Sequence, residues 1–541
     1  MDGHPASPVN GPLAPAAANS PVPSGQAVPV VPVGPAASAA VPAVPAVRAP
    51  SSSPVRLPDT VREAGRRFGA ATALVEPDGA RLSFAELDQR SDSVAAGLAA
   101  RGLGPGDRIV LRLPSRGQYV LAYLAAAKLG AVTAGVNPAL APPEQERLTE
   151  SVDPKLVLSE PGEVDELLRW ARGSGARTPV PATPPADPAR PVAIVFTSGT
   201  TGAPKAAVFT EAQLDAVALI DTGREWSGTP GEPMLNSTQF AHVGFMTKLP
   251  WYLRRGLRIH LQDRWDAGRT LALLAAQRVP VVNAVAPQLA LMLRHPDFDG
   301  FDLSAVQMLI AGAAASPPAL VAEARRRFGA PYCVRYSSTE TGGCGLGTAP
   351  DADDDEAMHS VGRPRPGIRA EIRDDDGRPL PTGQVGELWL HTPSAMAGYW
   401  RNPRATAEAL VDGWVCSGDL ALVDERGLVR LRGRKKEMYI RGGYNVIPAE
   451  VEALLSTHPL VAECAVQPRA DEILGERGVA VVVARDPDRP PTLADLTAHL
   501  RGQLATYKLP EDLVLVDALP LTPLHKIDRS ALAGLVARTN T

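Results

Sequence analysis

Residues 192–209 read VAIVFTSGTTGAPKAAVF. Two short apolar runs, Val192–Phe196 and Ala206–Phe209, enclose a loop of hydroxyl residues, glycines and one lysine, Thr197–Lys205. Such a loop suits an anion: glycines let the backbone approach a phosphate and present N–H groups, while hydroxyls and the lysine add donors. It is not a Walker A loop, in which Gly-Lys-Ser/Thr opens a helix. Here Ala203 and Pro204 separate Gly202 from Lys205, and the residues after Lys205 are strand-like. The segment is therefore predicted to join two strands, with no helix dipole aimed at the anion. A plain surface turn would share this composition, so the rest of the chain has to decide.

Working outward, Ser83 and Glu86 have capping-box spacing ahead of a helical face of Leu87, Val94 and Leu98, with Gly102 as the stop. Asp107–Leu113 reads as a strand, Tyr119–Leu129 as a helix and Ala131–Gly135 as a strand. This alternation predicts α/β layering around a parallel sheet. Gly173–Arg190 is a connection, and Ile368–Leu390 has a hairpin-like pattern. From about Gly433 a smaller unit starts: Ile447–Leu455 and Leu493–Gln503 read as helices, and Val461–Val466, Val479–Ala484 and Leu513–Val516 as strands. The boundaries are set at a tail over 1–55, a large N-terminal domain over 56–433 with layered sheets and helices, and a small α+β C-terminal domain over 434–541.

A chain of 541 residues calls for more than one core. Its net charge of −4 gives no reason to expect nucleic acid or an anionic membrane as a partner. No apolar run approaches the roughly 18 residues of a membrane span. The Pro/Ala-rich start lacks a basic n-region, and prolines such as Pro12, Pro15, Pro21 and Pro23 interrupt it. It therefore reads as an extended tail, not a signal peptide. The four cysteines, Cys333, Cys344, Cys416 and Cys464, are scattered without zinc-site spacing, as expected of a reducing, cytoplasmic setting.

Position by position, Thr197–Lys205 resembles the signature loop of the adenylate-forming superfamily, which includes acyl-CoA synthetases, luciferases and peptide-synthetase adenylation domains. Further motifs follow in that family's order, and the resemblance spans about Leu57 to Leu535. It implies that Thr197, Ser198, Gly199, Thr200, Thr201, Gly202 and Lys205 cradle ATP phosphates. Tyr336-Ser-Ser-Thr-Glu340 resembles the Y-x-x-T-E motif, which implies Tyr336 against adenine, Thr339 on phosphate and Glu340 on Mg²⁺. The chemistry is sound, since a hard cation takes carboxylate oxygen plus substrate phosphates. Gly312 and Ala313 resemble the segment lining adenine and acyl group. Asp419 matches the aspartate that accepts both ribose hydroxyls, with Ser417 in place of the usual threonine. Gly433–Glu437 resembles the hinge motif, implying a mobile small domain, with Arg434 at the ribose and Lys436 as pivot. Gly442 and Gly443 match the residues that let a pantetheine arm pass. Lys526 matches the adenylation lysine, able to stabilise charge developing on carboxylate and α-phosphate; His525 stands where the family has glycine.

The implied enzyme is an acid–thiol ligase using ATP, Mg²⁺ and coenzyme A, which forms an acyl-adenylate and then a thioester. His242 resembles a pocket-side histidine that gates the acid. Relatives that activate amino acids carry aspartate near the next position, and those taking 2-hydroxyaryl acids carry asparagine. Val243 offers an ammonium no partner, which disfavours burying that charge. The expected substrate is an aryl, arylpropenoate or medium-chain fatty acid. The alternative acceptors are a carrier-protein phosphopantetheine or a non-thiol nucleophile.

Overall fold

The computed structural model describes residues 56–173, 182–197, 204–223, 225–236, 238–312, 316–441, 444–471, 473–522 and 526–539. The expected tail over 1–55 lies outside them. No helix among the described residues is long and apolar enough to cross a membrane.

The strand Pro191–Phe196 sits inside a six-stranded sheet. Across that sheet run Gly398–Tyr399, Ala206–Thr210, Pro191–Phe196, Val132–Gly135, Arg108–Leu111 and Leu156–Leu158. Its last four strands pair in parallel, whereas Ala206–Thr210 returns antiparallel to Pro191–Phe196. Strands buried on both faces read as continuous apolar runs, and all of Val132–Gly135 is buried. Helices Phe84–Ala100 and Gly117–Lys128 supply one layer. The first begins on the predicted capping box: Ser83 Oγ accepts from Glu86 N at 3.2 Å, and Glu86 Oε2 accepts from Ser83 N at 3.0 Å. It ends at Ala100, just before Gly102, whose φ is +85°.

A second sheet carries parallel strands Val281–Val285, Met308–Gly312 and Tyr332–Tyr336, followed by the short antiparallel Leu346–Gly347 and Arg363–Pro364. A third is antiparallel: Arg369–Arg373 and Gly386–His391 form the predicted hairpin, and Trp414–Val423 and Val429–Arg434 extend it. A smaller sheet holds Arg81–Ser83, Thr72–Val75, Arg258–His260 and Pro233–Leu235.

The chain leaves the third sheet at Arg434 and enters a separate one at Tyr439. There Tyr439–Arg441, Tyr444–Val446, Val461–Asp471, Gly475–Ala484 and Asp512–Leu515 pair beside helices Pro448–Leu455, Leu493–Leu500 and Arg529–Arg538. The Leu493 helix stops three residues short of the predicted Gln503, because Arg501 turns extended (φ −60°, ψ 138°) and Gly502 takes φ +80°. Val461–Asp471 is longer than predicted. Its second half pairs with Gly475–Val479 through Arg469 opposite Arg477, which an apolar-run criterion does not detect.

Candidate active site

The phosphate-type loop leaves the carboxyl end of a parallel strand, as ligand loops of open α/β sheets do. Thr197 and Lys205 close its base. Thr197 N donates to Lys205 O at 2.9 Å, and Lys205 N donates to Thr197 Oγ1 at 3.0 Å. Both flanks are strands, as predicted. Ser198, Gly199, Thr200, Thr201 and Gly202 lie outside the described residues, as do Ala313, Gly442, Gly443 and His525.

In the second sheet, two neighbouring parallel strands end with Gly312 and Tyr336. A Cβ on Gly312 would sit 3.0 Å from Arg335 O, a close approach to the neighbouring strand. After Tyr336 the chain folds into a turn carrying Thr339 and Glu340. Ser338 N donates to Thr341 Oγ1 at 3.0 Å, and Gly342 N donates to Thr339 O at 3.0 Å. Gly342 has φ +69°, and a Cβ there would lie 2.4 Å from Ser394 O, which makes glycine obligatory.

Asp419 joins two of the other expected residues. The Tyr336 hydroxyl donates to its Oδ2, and Arg434 Nε stands 2.6 Å from its Oδ1. The pairing is built into the sheet, where Asp419 is the direct cross-strand partner of Arg434. Ser417 keeps the hydroxyl that threonine would supply, and its Oγ accepts from Asp419 N at 3.0 Å. Burial pushes the Asp419 carboxyl up, against the opposing pull of Arg434 and Tyr336. An aspartate held this way can accept the two hydroxyls of a ribose once Tyr336 and Arg434 give way.

Lys526 comes from the far end of the chain into the same place. Burial first, and then the charge of Arg434, push its ammonium down, while Asp419 and Glu340 pull it up. On the other side is His242, the residue before the short helix Val243–Met246. Burial, with Lys526 adding to it, pushes the His242 imidazole down to about 4. It is therefore neutral near pH 7, and among the described residues its buried Nε2 has no hydrogen-bond partner. Beneath it Phe240 and Phe245 stack at 3.6 Å, with Tyr119 edge-on to Phe240. Val243 faces Gly343 across the site: a Cβ on that glycine would lie 3.5 Å from Val243 Cγ2.

Glu340 has a partner that the sequence did not reveal. The Tyr399 hydroxyl donates to Glu340 Oε1 at 2.7 Å, and Lys205 Nζ lies 4.9 Å from the centroid of the same ring. Gly398-Tyr-Trp400 was the only available signal, an aromatic pair after a glycine. Nothing local ties it to a glutamate 59 residues away. One carboxylate with an adjacent threonine hydroxyl fits Mg²⁺ shared with phosphate oxygens, since this ion seldom uses an all-protein cage. Lys436 stands apart from this cluster, in the turn between Arg434 and Tyr439. The arrangement brings a neutral histidine, a half-buried lysine and the carboxylates of Glu340 and Asp419 into one electrostatic neighbourhood.

Comparison with known proteins agrees with this chemistry. The family model described as AMP-binding enzyme matches residues 61–400, and that of the AMP-binding enzyme C-terminal domain matches residues 450–526. The indoleacetate–CoA ligase of Aromatoleum aromaticum is 33% identical over 503 residues, covering 88% of this chain and 97% of its own. The fatty acid–[acyl-carrier-protein] ligase ScoC of Streptomyces coeruleorubidus is 32% identical, covering 85% of this chain and 93% of its own. Among solved structures, ATP-bound MatB from Rhodopseudomonas palustris superposes with a TM-score of 0.78 at 26% identity, over 90% of this chain and all of that one.

Proposed function

The chain belongs to the AMP-binding enzyme family, and we propose that it is an ATP-dependent, AMP-forming ligase joining a small carboxylic acid to the thiol of coenzyme A. The observation that carries this reading is the convergence of Lys526, Asp419, Arg434 and Glu340, one group from each separate motif, on one electrostatic environment. The overall reaction has two halves: the acid displaces pyrophosphate from ATP to give acyl-AMP, and a thiol then displaces AMP.

Each residue has a role in this scheme. Asp419 holds the ribose, and Tyr336 packs against the base. Thr197, Lys205 and Thr339 bind phosphate together with the loop between them. Lys526 bridges the acid's carboxylate and the α-phosphate, offsetting the negative charge that grows there in a site shielded from water. Neutral His242 and apolar Val243 border the acid, and neither offers an ammonium a counter-charge. This supports an aryl, arylpropenoate or medium-chain fatty acid. Mg²⁺, when held by Glu340 and the phosphates, would neutralise phosphate charge. We divide the chain into a large domain over 56–433 and a small one over 434–541, hinged at Lys436, because the sheets change between Arg434 and Tyr439. Gly442 and Gly443 are assigned to the pantetheine path, and the cytoplasm, where ATP and coenzyme A are found, is the assigned compartment.

A second acceptor deserves a test because one relative of comparable identity is a carrier-protein ligase. Pyrophosphate release should be followed across aryl, arylpropenoate and fatty acids, with coenzyme A, with a phosphopantetheinylated carrier protein, and with neither. Acid-dependent release followed by a coenzyme A thioester is the expected outcome. Loading of the carrier alone would favour the second reading, and release with no acid at all would sink both.

A further inference from the structure

We propose that Tyr399 is a positioning residue that holds the carboxylate of Glu340 and the ammonium of Lys205 apart, so that both stay available to the metal and phosphates of the nucleotide; this rests on the reading of Glu340 as the metal ligand.

The geometry is specific. The ring of Tyr399 takes Lys205 at 4.9 Å from its centroid, while its hydroxyl donates to Glu340 Oε1 at 2.7 Å. A lysine and a glutamate facing one cleft would otherwise collapse into an ion pair and neutralise each other. Among the described residues neither forms a salt bridge, and the phenol stands between them. A cation accepts the face of an aromatic ring and a carboxylate accepts an O–H, so one neutral side chain satisfies both charges.

The backbone fixes the ring between the two motifs. Met396 N donates to Glu340 O at 2.8 Å. Ala397 N and Trp400 N donate to Val208 O and Ala206 O, each at 2.8 Å, which lays the segment along the strand that follows Lys205. Tyr399 N is held by Thr406 Oγ1 at 2.8 Å. Residues 396–400 thus stitch the metal-binding turn to the phosphate loop, and Tyr399 is the side chain that reaches into the gap.

The experiment is a titration of the full-length protein with Mn²⁺, read by electron paramagnetic resonance, with the non-hydrolysable analogue α,β-methylene-ATP. Metal-free analogue binding is measured by calorimetry, and thermal melting checks the fold of each variant. Tyr399→Phe keeps the ring and removes the donor. It should leave metal-free analogue binding within about twofold and weaken Mn²⁺ about tenfold, the usual effect of losing a hydrogen bond that orients a metal ligand. Tyr399→Leu should also weaken metal-free binding, because Lys205 loses its ring. If Tyr399→Phe binds Mn²⁺ as tightly as the parent while folded, the positioning role is wrong. If Glu340→Gln also binds Mn²⁺ unchanged, the assignment of Glu340 as ligand fails, which is a separate failure.

Discussion

Lys526 is half-buried near Arg434, Asp419, Glu340 and His242; burial and the guanidinium push its ammonium down, while the two carboxylates pull it up. Lys526→Ala should remove the group that offsets charge at the α-phosphate. Acid-dependent ATP–pyrophosphate exchange should then fall by about 10²–10³-fold, while thioester formation from a supplied acyl-adenylate continues. Equal loss in both assays would mean that the lysine acts on folding and not on the first half-reaction. His242 gives a second prediction. Unfolded, its imidazole titrates near 6.5; folded, it takes up a proton only near 4. Between those values the unfolded chain binds a proton that the folded chain refuses, so stability falls as pH drops from about 6.5 to about 4 and does not depend on this group above that. The full effect is on the order of 3 kcal/mol. His260, also pushed down to about 4 by burial, acts in the same direction. Denaturant unfolding of the parent and His242→Asn at about pH 7 and about pH 5 should therefore show a smaller drop in the variant, not its disappearance. A drop of equal size would place the His242 titration elsewhere.

At the level of elements, the parallel sheet sets the position of the histidine. Gly135 ends the buried strand Val132–Gly135, and a Cβ there would lie 2.5 Å from Tyr119 Oη, 2.8 Å from Ala241 Cα and 2.8 Å from Met246 Sδ. None of these can retreat cheaply in a packed core, so Gly135→Ala should cost about 1–3 kcal/mol. It should also push Ala241, and with it His242, so the KM for the acid should rise more than the KM for ATP. Equal changes in both constants would show that the strand does not reach the acid side. Elements of this kind were legible in the sequence where the signal is local. The capping box at Ser83, the two strands around Thr197–Lys205 and the hairpin from Arg369 to His391 all depend on neighbours in the chain. What could not be read depends on distant pairing. Tyr336 meets Asp419 across 83 residues, and Tyr399 meets Glu340 across 59. The motif residues were found through their resemblance to the motifs of the adenylate-forming superfamily, whereas Tyr399 lies outside the motifs that carry that resemblance. The polar half of Val461–Asp471 was missed for a related reason: Arg469 and Arg477 pair across the ladder, and an apolar pattern is blind to them.

For the whole molecule, the question is how one site serves two half-reactions, and the turn between the sheets bears on it. Lys435 is tied to one side: its N donates to Gly418 O at 2.9 Å, and its Nζ lies 2.8 Å from Asp375 and 3.2 Å from Glu387. Glu437 is tied to the other, with Arg529 of the C-terminal helix 3.2 Å away. Lys436 lies between them, and among the described residues its side chain has no ion-pair partner. A residue flanked by anchors on opposite sides, itself unanchored, is where a large backbone change costs least. The present arrangement brings Lys526 to the Asp419 cluster, which suits adenylation, and it packs tightly at the junction. A Cβ on Gly433 would lie 2.4 Å from Ile447 Cγ2. On the proposed reading, the small unit leaves this position to admit a thiol, and φ at Lys436 is the coordinate we propose for that movement. Lys436→Pro fixes that angle near −65°, removes the N–H and the lysine side chain, and restricts the backbone of Lys435. ATP–pyrophosphate exchange should stay within a few-fold of the parent, while conversion of preformed acyl-adenylate to thioester should drop by at least about tenfold. Full thioester activity in the proline variant would locate the pivot elsewhere, and loss of exchange as well would mean that the turn supports the adenylating arrangement itself.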